Sequence, residues 1–592
     1  MGITDRLKRG FVGRPLRSDR LGETLLPKKL ALPVFASDAL SSVAYATEEI
    51  LLVLSLGGLA FLHFTPYVAA GVVLLMLTVV ASYRQNVRAY PSGGGDYEVA
   101  STNLGQRAGV VVASALLVDY VLTVAVSVSA GVANLTSAAR GLADHKVAIA
   151  VGLVVLLTTM NLRGVRESGT TFAVPTYAFM LGIFLMIGAG LLHLVTGDVP
   201  RAESAGYQVK AESTFGGLAT VFLVLRAFSS GCTALTGVEA ISNGVPAFKK
   251  PKSRNAATTL LLMGTIAVTM FVSVTALALI TKVRIAENPA DLVGFHGGEQ
   301  RTVVTQVAAA VFGGHSVGFL YVAAVTALIL ILAANTAFNG FPVLGSILAR
   351  DGFLPRQLHT RGDRLVYSNG ILVLAGFATL LIVVFHAEVT RLIQLYIVGV
   401  FVSFVCSQTG MVRHWQRLLR TERDAAARRR MRRSQAINFT GACLTGTVLV
   451  IVLLTKFTRG AWIVVLAMPL IYTVMRRIRR HYDRVAEELA DSTPLTAPSR
   501  VNAVVLVSKL HAPAMRALAY AKATRPHTLV AVTVAVDPSE SESLRHEWEE
   551  RRIPIDLVVL ASPYREITRP VLDYVKRIRR ESPRDVVCVF IP

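Results

Sequence analysis

Apolar runs of about 20 residues recur along the first 480 or so positions of this 592-residue chain. Each run is long enough to cross a hydrocarbon core of roughly 30 Å as an α-helix. Lipid offers no partners to backbone N–H and C=O groups, so a chain with many such runs is restricted to a bundle of spanning helices. Its 53% hydrophobic content agrees, since soluble domains reach only about 45–50% on a broader count.

The loops between these runs differ in charge. We predict about twelve spans, with the N-terminus in the cytoplasm. Their approximate positions are 31–56, 62–83, 107–137, 145–162, 171–196, 216–245, 257–281, 316–341, 368–386, 389–412, 436–456 and 461–478. The N-terminal segment and inner loops then hold about 30 Lys and Arg, against fewer than 10 in the outer loops. This positive-inside asymmetry predicts that both termini are cytoplasmic.

The formal net charge of +23 is typical either of nucleic-acid binding or of solvated loops beside anionic lipid. We favour lipid, because the basic residues, including the run at 428–433, fall in inner loops. No nucleic-acid partner is therefore expected. The four cysteines show no CxxC or Cys/His spacing, so neither disulfides nor a metal cluster is predicted. The basic, polar first 30 residues contain no cleavage pattern, so no removable signal peptide is expected.

Composition divides the chain into four predicted parts. These are a cytoplasmic N-terminal segment (1–30), a transmembrane transporter domain (31–480), a linker (481–500) and a cytoplasmic α/β domain (501–592). In the last part VNAVVLVSKL, HTLVAVTVAVD, PIDLVVLAS and DVVCVFIP alternate with helical segments, which predicts a parallel sheet. The first of these strands lacks a Gly-rich phosphate loop, so docking or ligand sensing is favoured over a dinucleotide enzyme. Because an α/β unit rarely ends on a buried strand, we expect further residues after 592.

Small and polar residues interrupt two predicted spans that lie five spans apart. SDALSSVAY interrupts span one, and SSGCTALTGVEA interrupts span six. Paired broken helices in two inverted halves are a sequence indicator of a transporter's binding site. We therefore predict that both spans lose helical structure there and turn freed carbonyls towards a ligand.

Three acids are predicted at membrane depth: Asp38 in span one, Asp119 in span three and Glu239 in span six. An ionisable group there costs at least about 2.5–3.5 kcal/mol and usually marks an ion or proton pathway. No buried base is an obvious partner for them, with Arg226 as the one exception. Acids without a matching base favour a cation with oxygen ligands. A desolvated acid also takes up a proton readily, so cation transport coupled to protons is the natural interpretation.

Several hydroxyls accompany these acids. Tyr45, Thr123 and Ser127 follow an acid at helical spacing, and Thr236 precedes Glu239 by three residues on the same face. Tyr396 stands alone in span ten. Each also has a purely structural interpretation, because Ser and Thr in spans often bond their own backbone and a tyrosine often packs at the membrane interface. Glu48 and Glu49 are expected to be solvated at the outer mouth.

Five long motifs give a more specific indication. They are FASDALSSVAYATEEILL, YPSGGGDYEVASTNLG, SALLVDYVLTVAVSVSAGVANL, SGCTALTGVEAISNGVPAFKKPKSRNA and LYIVGVFVSF. Together they resemble the KimA type of bacterial potassium importer, a branch of the amino acid–polyamine–organocation superfamily related to the Kup uptake systems. The resemblance extends over almost the whole chain. It implies a polytopic α-helical membrane protein with LeuT-like inverted five-helix repeats and a C-terminal cytoplasmic α/β regulatory domain.

The resemblance also implies an activity. It is high-affinity potassium uptake by proton-coupled symport across the bacterial inner membrane, with no cofactor and no enzymatic reaction. Homodimers through the cytoplasmic domain and inhibition by cyclic di-AMP there are implied as well. By motif, the cation-binding positions fall on Asp38, Tyr45, Asp119, Tyr120, Ser127, Thr236, Glu239 and Tyr396. The candidates for proton coupling are Asp38, Asp119 and Glu239.

Two other functions stay open. Amino acid permeases hold the substrate carboxylate on the amides of a Gly-rich break in span one. Here the segment SDALSS carries an acid and no GxG, which disfavours an anionic substrate. A polyamine stays possible as the substrate. A membrane receptor that senses a solute and signals through its C-terminal domain would bind without flux.

Overall fold

The computed structural model describes residues 25, 27–91, 95–138, 144–212, 215–295, 300–490, 502–581 and 587–592. They fall into two compact units, described separately below. One unit contains 25–360 and 367–475, and the other contains 361–366 and 476–592. Most of the predicted N-terminal segment lies outside the described residues, as does the second half of the predicted linker.

The first unit is built from helices. They are α1 Lys28–Ser55, α2 Thr65–Ala89, α3 Gly95–Leu104, α4 Gln106–Ala138, α5 Lys146–Leu162, α6 Val165–Thr196, α7 Leu218–Gly231, α8 Val238–Asn243, α9 Lys252–Ile280, α10 Val303–Phe312, α11 Val317–Arg350, α12 Ser368–Val384, α13 Val389–Thr421, α14 Ala425–Lys456 and α15 Ala461–Leu489, which continues into the second unit. A short antiparallel ribbon joins β1 Gln208–Val209 to β2 Leu292–Val293.

Ten of the described helical segments are long and apolar enough to cross a membrane, with α7 and α8 counted as one. The apolar helices α5 and α12 are shorter, at 17 residues each. Together these segments coincide with the predicted spans. Large apolar side chains such as Leu181, Phe377 and Leu470 are more than half exposed on the outer helices, as expected of a surface that meets lipid. By contrast, α1 is almost entirely enclosed.

The predicted break in span one is wrong. Helix α1 is continuous from Lys28 to Ser55, and no Gly or Pro occurs between Pro33 and Gly57. The hydroxyls of Ser41 and Ser42 donate to the Asp38 carbonyl at 2.9 and 2.8 Å, within the same helix. Serine side chains in a span are commonly satisfied in this way, so a polar segment without a helix-breaking residue stays helical.

The predicted break in span six is confirmed. Helix α7 ends at Gly231, a 3₁₀ turn covers Cys232–Leu235, and α8 begins at Val238. Span six therefore supplies the non-helical backbone that the sequence predicted for two spans.

Two helices were not predicted as separate elements. They are α3, in the loop between spans two and three, and α10, in the loop between spans seven and eight. Both are 10 residues long and too short to stand out as spans.

The second unit contains the α/β domain, in which the predicted alternation is confirmed. Its strands are β3 Asn502–Leu506, β4 Thr528–Ala535, β5 Asp556–Ala561 and β6 Val587–Phe590, and its helices are α16 Ala512–Ala523, α17 Pro538–Glu550 and α18 Thr568–Glu581. All neighbouring strands are parallel, in the order β5-β4-β3-β6. Separate apolar clusters surround Val505 with Trp548, and Val504 with Val532. Both faces of the sheet are thus covered, as parallel sheets require.

Candidate cation site

The break in span six brings irregular backbone into the buried interior. Thr236 is extended (φ −63°, ψ 146°), and Gly237 has a φ of 83°, which favours glycine. A Cβ added to Gly237 would lie 2.8 Å from Asp38 Oδ2 and 2.8 Å from the Ala39 amide nitrogen. Glycine at this position therefore allows α1 and its carboxylate to lie directly against the break.

Hydroxyl groups from α1 and the break form a short chain of contacts. Ser42 Oγ lies 2.9 Å from Tyr45 Oη and 2.8 Å from Thr236 Oγ1. This chain holds two predicted site residues together, Tyr45 and Thr236. Ser42 itself was not predicted, although its i+4 spacing from Asp38 could have indicated it.

Tyr396 from α13 connects α1 to α4. Its hydroxyl donates to Asp38 Oδ2 at 3.4 Å and accepts from Thr123 Oγ1 at 3.1 Å. Thr123 in turn reaches the Asp119 carbonyl oxygen at 3.0 Å, one turn earlier on α4. At 1% exposure, Tyr396 belongs to a buried polar cluster and not to a membrane interface.

Tyr120 and Glu239 extend this cluster through α8. Asn243 Nδ2 donates to Tyr120 Oη at 2.6 Å, and Asn243 lies one turn after Glu239 on α8. Asn243 was not predicted as a site residue either, because an asparagine near the end of a span is typical of the end of a helix. Ser127 is buried further along α4, and no side-chain hydrogen bond among the described residues joins it to the others.

The structure thus brings seven of the eight predicted site residues into one buried arrangement, called here the central cluster. It comprises Asp38, Tyr45, Asp119, Tyr120, Thr236, Glu239 and Tyr396, together with Ser42 and Thr123. Which of these residues bind a cation stays a prediction.

The acids of the central cluster have oxygens without hydrogen-bond partners. These are Asp38 Oδ1, both carboxylate oxygens of Asp119, and Glu239 Oε2. Each residue is at most 2% exposed, and none forms an ion pair within the described part of the chain. A buried carboxylate without a partner is strongly disfavoured in its charged form, so this arrangement calls for a bound proton or a bound cation.

The donor set limits which cation fits. No group of three or more His, Cys, Asp or Glu among the described residues is placed to hold a metal ion together. A cation in the central cluster would therefore take carboxylate oxygens mixed with hydroxyls such as those of Tyr45 and Thr236. Weak oxygen ligands of this kind suit an ion that must also be released.

A second set of charges contradicts one prediction. Glu49, expected to be solvated, is only 6% exposed, and Lys456 at the end of α14 is fully buried. The two charges attract each other. Lys456 Nζ forms no hydrogen bond in the described residues, so Lys456 acts on Glu49 through charge alone, together with Arg226. The sequence did not indicate this buried base, because Lys456 ends an apolar run and resembles the first residue of a loop.

Further charges accompany this pair. Glu287 Oε2 lies 3.4 Å from Arg226 Nη2, and Glu287 Oε1 lies 3.0 Å from Arg459 Nη1. We call these five residues the outer charge group, after its predicted side of the membrane: Glu49, Arg226, Glu287, Lys456 and Arg459.

Glu48 also differs from the prediction. Its Oε2 accepts from the backbone N–H of Val303 at 3.1 Å, at the first residue of α10. A carboxylate at a helix N-terminus is favourable because it meets free N–H groups and the positive end of the helix dipole. Glu48 thus stabilises the start of α10 and is not free in solvent.

Comparison with known proteins places this arrangement in a family. Residues 32–475 match the amino acid permease family, and residues 499–592 match the KimA potassium transporter C-terminal domain. The potassium transporter KimA of Bacillus subtilis (strain 168) is 39% identical over 587 residues, or 99% of this chain and 92% of that protein. The chain belongs to the KimA family, within the amino acid permeases.

Membership confirms several expectations. The family resemblance and the fold class are confirmed, as a polytopic helical permease with a C-terminal α/β domain. The KimA relative is a transporter, so the expectation that this chain is not an enzyme is confirmed too. Ten membrane-length helices in a member of a transporter family identify a multi-pass membrane protein.

Proposed function

We propose that this protein imports potassium ions by proton-coupled symport across the bacterial inner membrane. The observation that carries this proposal is the central cluster, where three buried acids with unpartnered oxygens lie among hydroxyls beside a broken helix. Such oxygens replace the hydration shell of a hard monovalent cation. The similarity to KimA, a potassium transporter matched over nearly its whole length, supports potassium as that cation.

In this proposal one of Asp38, Asp119 and Glu239 carries the proton. Three neighbouring carboxylates repel one another, so a single potassium ion cannot keep all of them ionised. A proton on one of them restores the balance and travels with the ion.

Rubidium uptake into proteoliposomes, with and without an imposed pH gradient, tests this proposal. We expect uptake that potassium competes away and that accelerates when the external side is acidic. Rubidium uptake that ignores the pH gradient would remove the proton from the proposal. Saturable rubidium binding without flux would favour a membrane receptor that senses the ion and does not transport it.

The second candidate is a polyamine or amino acid permease, which the family name favours. An amino acid needs donors for its carboxylate at the break, yet Asp38 lies against Gly237, and Glu239 stands in the first turn of α8. These acids repel an anion, whereas a polyamine would satisfy them. Uptake of labelled putrescine or of an amino acid, in vesicles that take up no rubidium, would overturn the potassium proposal.

The C-terminal domain is proposed to dimerise the protein and to bind cyclic di-AMP as an inhibitor. Support comes from the match to the KimA C-terminal domain and from the strand order, which reverses beside β3. Parallel α/β folds bind ligands at such switch points. Titration calorimetry of the full-length protein with cyclic di-AMP should show saturable binding, and light scattering should give twice the chain mass. Equal binding of cyclic di-GMP would contradict the proposal of a cyclic di-AMP site. A mass of one chain would contradict the proposed dimer.

A further inference from the structure

Asp96 is a fourth buried acid, outside the central cluster. It stands in the first turn of α3, a helix in the predicted inner loop between spans two and three, and it is fully buried. Tyr83 from α2 and Ser403 from α13 both donate to its Oδ2, at 2.5 and 2.6 Å. The Ser407 hydroxyl is a third polar neighbour of this carboxylate, while Oδ1 is buried and has no hydrogen bond of normal geometry. Three helices therefore orient a carboxylate with one oxygen left for a ligand.

Asn243 supplies a second unpartnered oxygen next to Asp96. Its Nδ2 is engaged by Tyr120 at 2.6 Å, while its Oδ1 is buried and has no partner. This Oδ1 lies against Gly95, where an added Cβ would overlap it. The amide is therefore turned so that its nitrogen faces the central cluster and its oxygen faces the start of α3.

The unpartnered oxygens of Asn243 and Asp96 lie next to those of the central cluster. Glu239 and Asn243 occupy one face of α8, four residues apart. Glu239 Oε2, Asn243 Oδ1 and Asp96 Oδ1 are all buried and all lack a hydrogen-bond partner. No ion pair among the described residues involves Asp96. A carboxylate in this setting calls for a positive ligand, for the same reason as the central acids.

We propose that Asp96 and Asn243 form a second binding position for a monovalent cation, between the central cluster and the predicted cytoplasmic side. The inference rests on the proposed potassium transport. The ion passes from Glu239 to the oxygens of Asn243 and Asp96 before it is released. Adjacent weak positions allow an ion to leave a site that binds it well.

The test measures radioactive rubidium binding to the purified full-length protein, alongside uptake. Asp96→Asn keeps an acceptor for Tyr83 and Ser403 but removes the charge. We expect it to lower the bound rubidium by about one ion per chain and uptake by about tenfold, with the affinity of the remaining position within about twofold. Glu488→Gln, an exposed acid in the predicted cytoplasmic linker, is the matched control and should change neither quantity.

A second variant keeps the test decisive if Asp96→Asn fails to fold. Asn243→Asp adds a carboxylate of the same shape and should tighten rubidium binding at the second position by about tenfold while slowing turnover. A purely structural role predicts instead a less stable protein without tighter binding, which would overturn the inference. So would wild-type stoichiometry and uptake in folded Asp96→Asn. If the wild-type protein neither binds nor transports rubidium, the proposed function fails first.

Discussion

The central cluster and the outer charge group bury carboxylates in the same helical bundle but satisfy them differently. In the outer charge group the positive charges of Lys456 and Arg226 attract the carboxylate of Glu49 without an ion pair to Lys456, and Glu287 forms ion pairs with two arginines. In the central cluster Asp38, Asp119 and Glu239 have no basic partner among the described residues. A buried acid in a membrane protein is thus not by itself a sign of transport. The informative feature is an acid whose positive partner is missing from the chain.

The backbone around the two regions also differs. In the outer charge group Glu49 and Arg226 lie in the regular helices α1 and α7, and Lys456 ends α14, while Glu287 and Arg459 lie between helices. The central cluster lies against the break at 232–237. The central cluster thus combines buried acids with irregular backbone, which is tolerated at membrane depth only where protein encloses it.

Removing one central acid should have the largest effect on transport. Asp119→Asn preserves shape but removes a charged cation ligand, so we expect rubidium uptake at least about 100-fold lower, near that of empty vesicles. Glu239→Gln should behave alike. Glu203→Gln, an exposed acid paired with Arg301, is the matched control and should keep wild-type uptake. Appreciable uptake by folded Asp119→Asn would remove Asp119 from the site.

Removing one partner of the outer charge group should act on stability. Lys456→Met leaves Arg226 as the remaining positive charge that acts on Glu49, so we expect the free energy of unfolding to fall by about 0.5–3 kcal/mol. The double variant Glu49→Gln, Lys456→Met should recover most of this loss. Thermal unfolding of the wild-type protein and these two variants in detergent measures the loss and the recovery. If the double variant is no more stable than Lys456→Met, the two residues do not neutralise each other.

How far these regions were predictable depends on the range of the interactions. Spans follow from hydropathy because lipid acts as a uniform solvent on every residue. The break in span six was predictable because glycines flank it, whereas α1 carries polar residues without glycine and stays helical. The attraction between Glu49 and Lys456 joins residues some 400 positions apart, and neither residue's surroundings in the sequence indicate the other.

The same limit applies to Asp96. It follows a Gly-rich segment that reads as a loop, and its burial depends on α2 and α13, which come from distant parts of the chain. The central acids, in contrast, stand inside apolar runs where each is conspicuous on its own. Sequence therefore indicated the acids of the central cluster better than the hydroxyls and amides that orient them.

Gly237→Ala probes the close approach of α1 to the break. The φ of 83° and the 2.8 Å approach to Asp38 Oδ2 mean that a methyl group strains the turn and displaces the carboxylate. A residue forced into this region costs about 1–3 kcal/mol, so we expect the KM for rubidium to rise roughly 5- to 150-fold. Gly152→Ala, on α5 with open space around it, is the matched control. An unchanged KM would show that the approach of α1 is not needed for binding.

Ser42→Ala should have the smallest of these effects on transport. It tests whether neutral hydroxyls contribute to cation binding in the central cluster. Ser42 positions Tyr45 and Thr236 beside Asp38 without carrying charge, and a lost hydrogen bond costs about 0.5–1.5 kcal/mol, or about a 2- to 12-fold rise in KM. Ser41, the residue before Ser42, is an internal control. Its hydroxyl donates to the same Asp38 carbonyl but contacts neither the Tyr45 nor the Thr236 hydroxyl. If Ser41→Ala raises the KM as much as Ser42→Ala does, then the bond to the α1 backbone matters and the hydroxyl chain does not. A rise confined to Ser42→Ala would show that neutral oxygens, as well as the unpartnered acids, set the affinity of the central cluster.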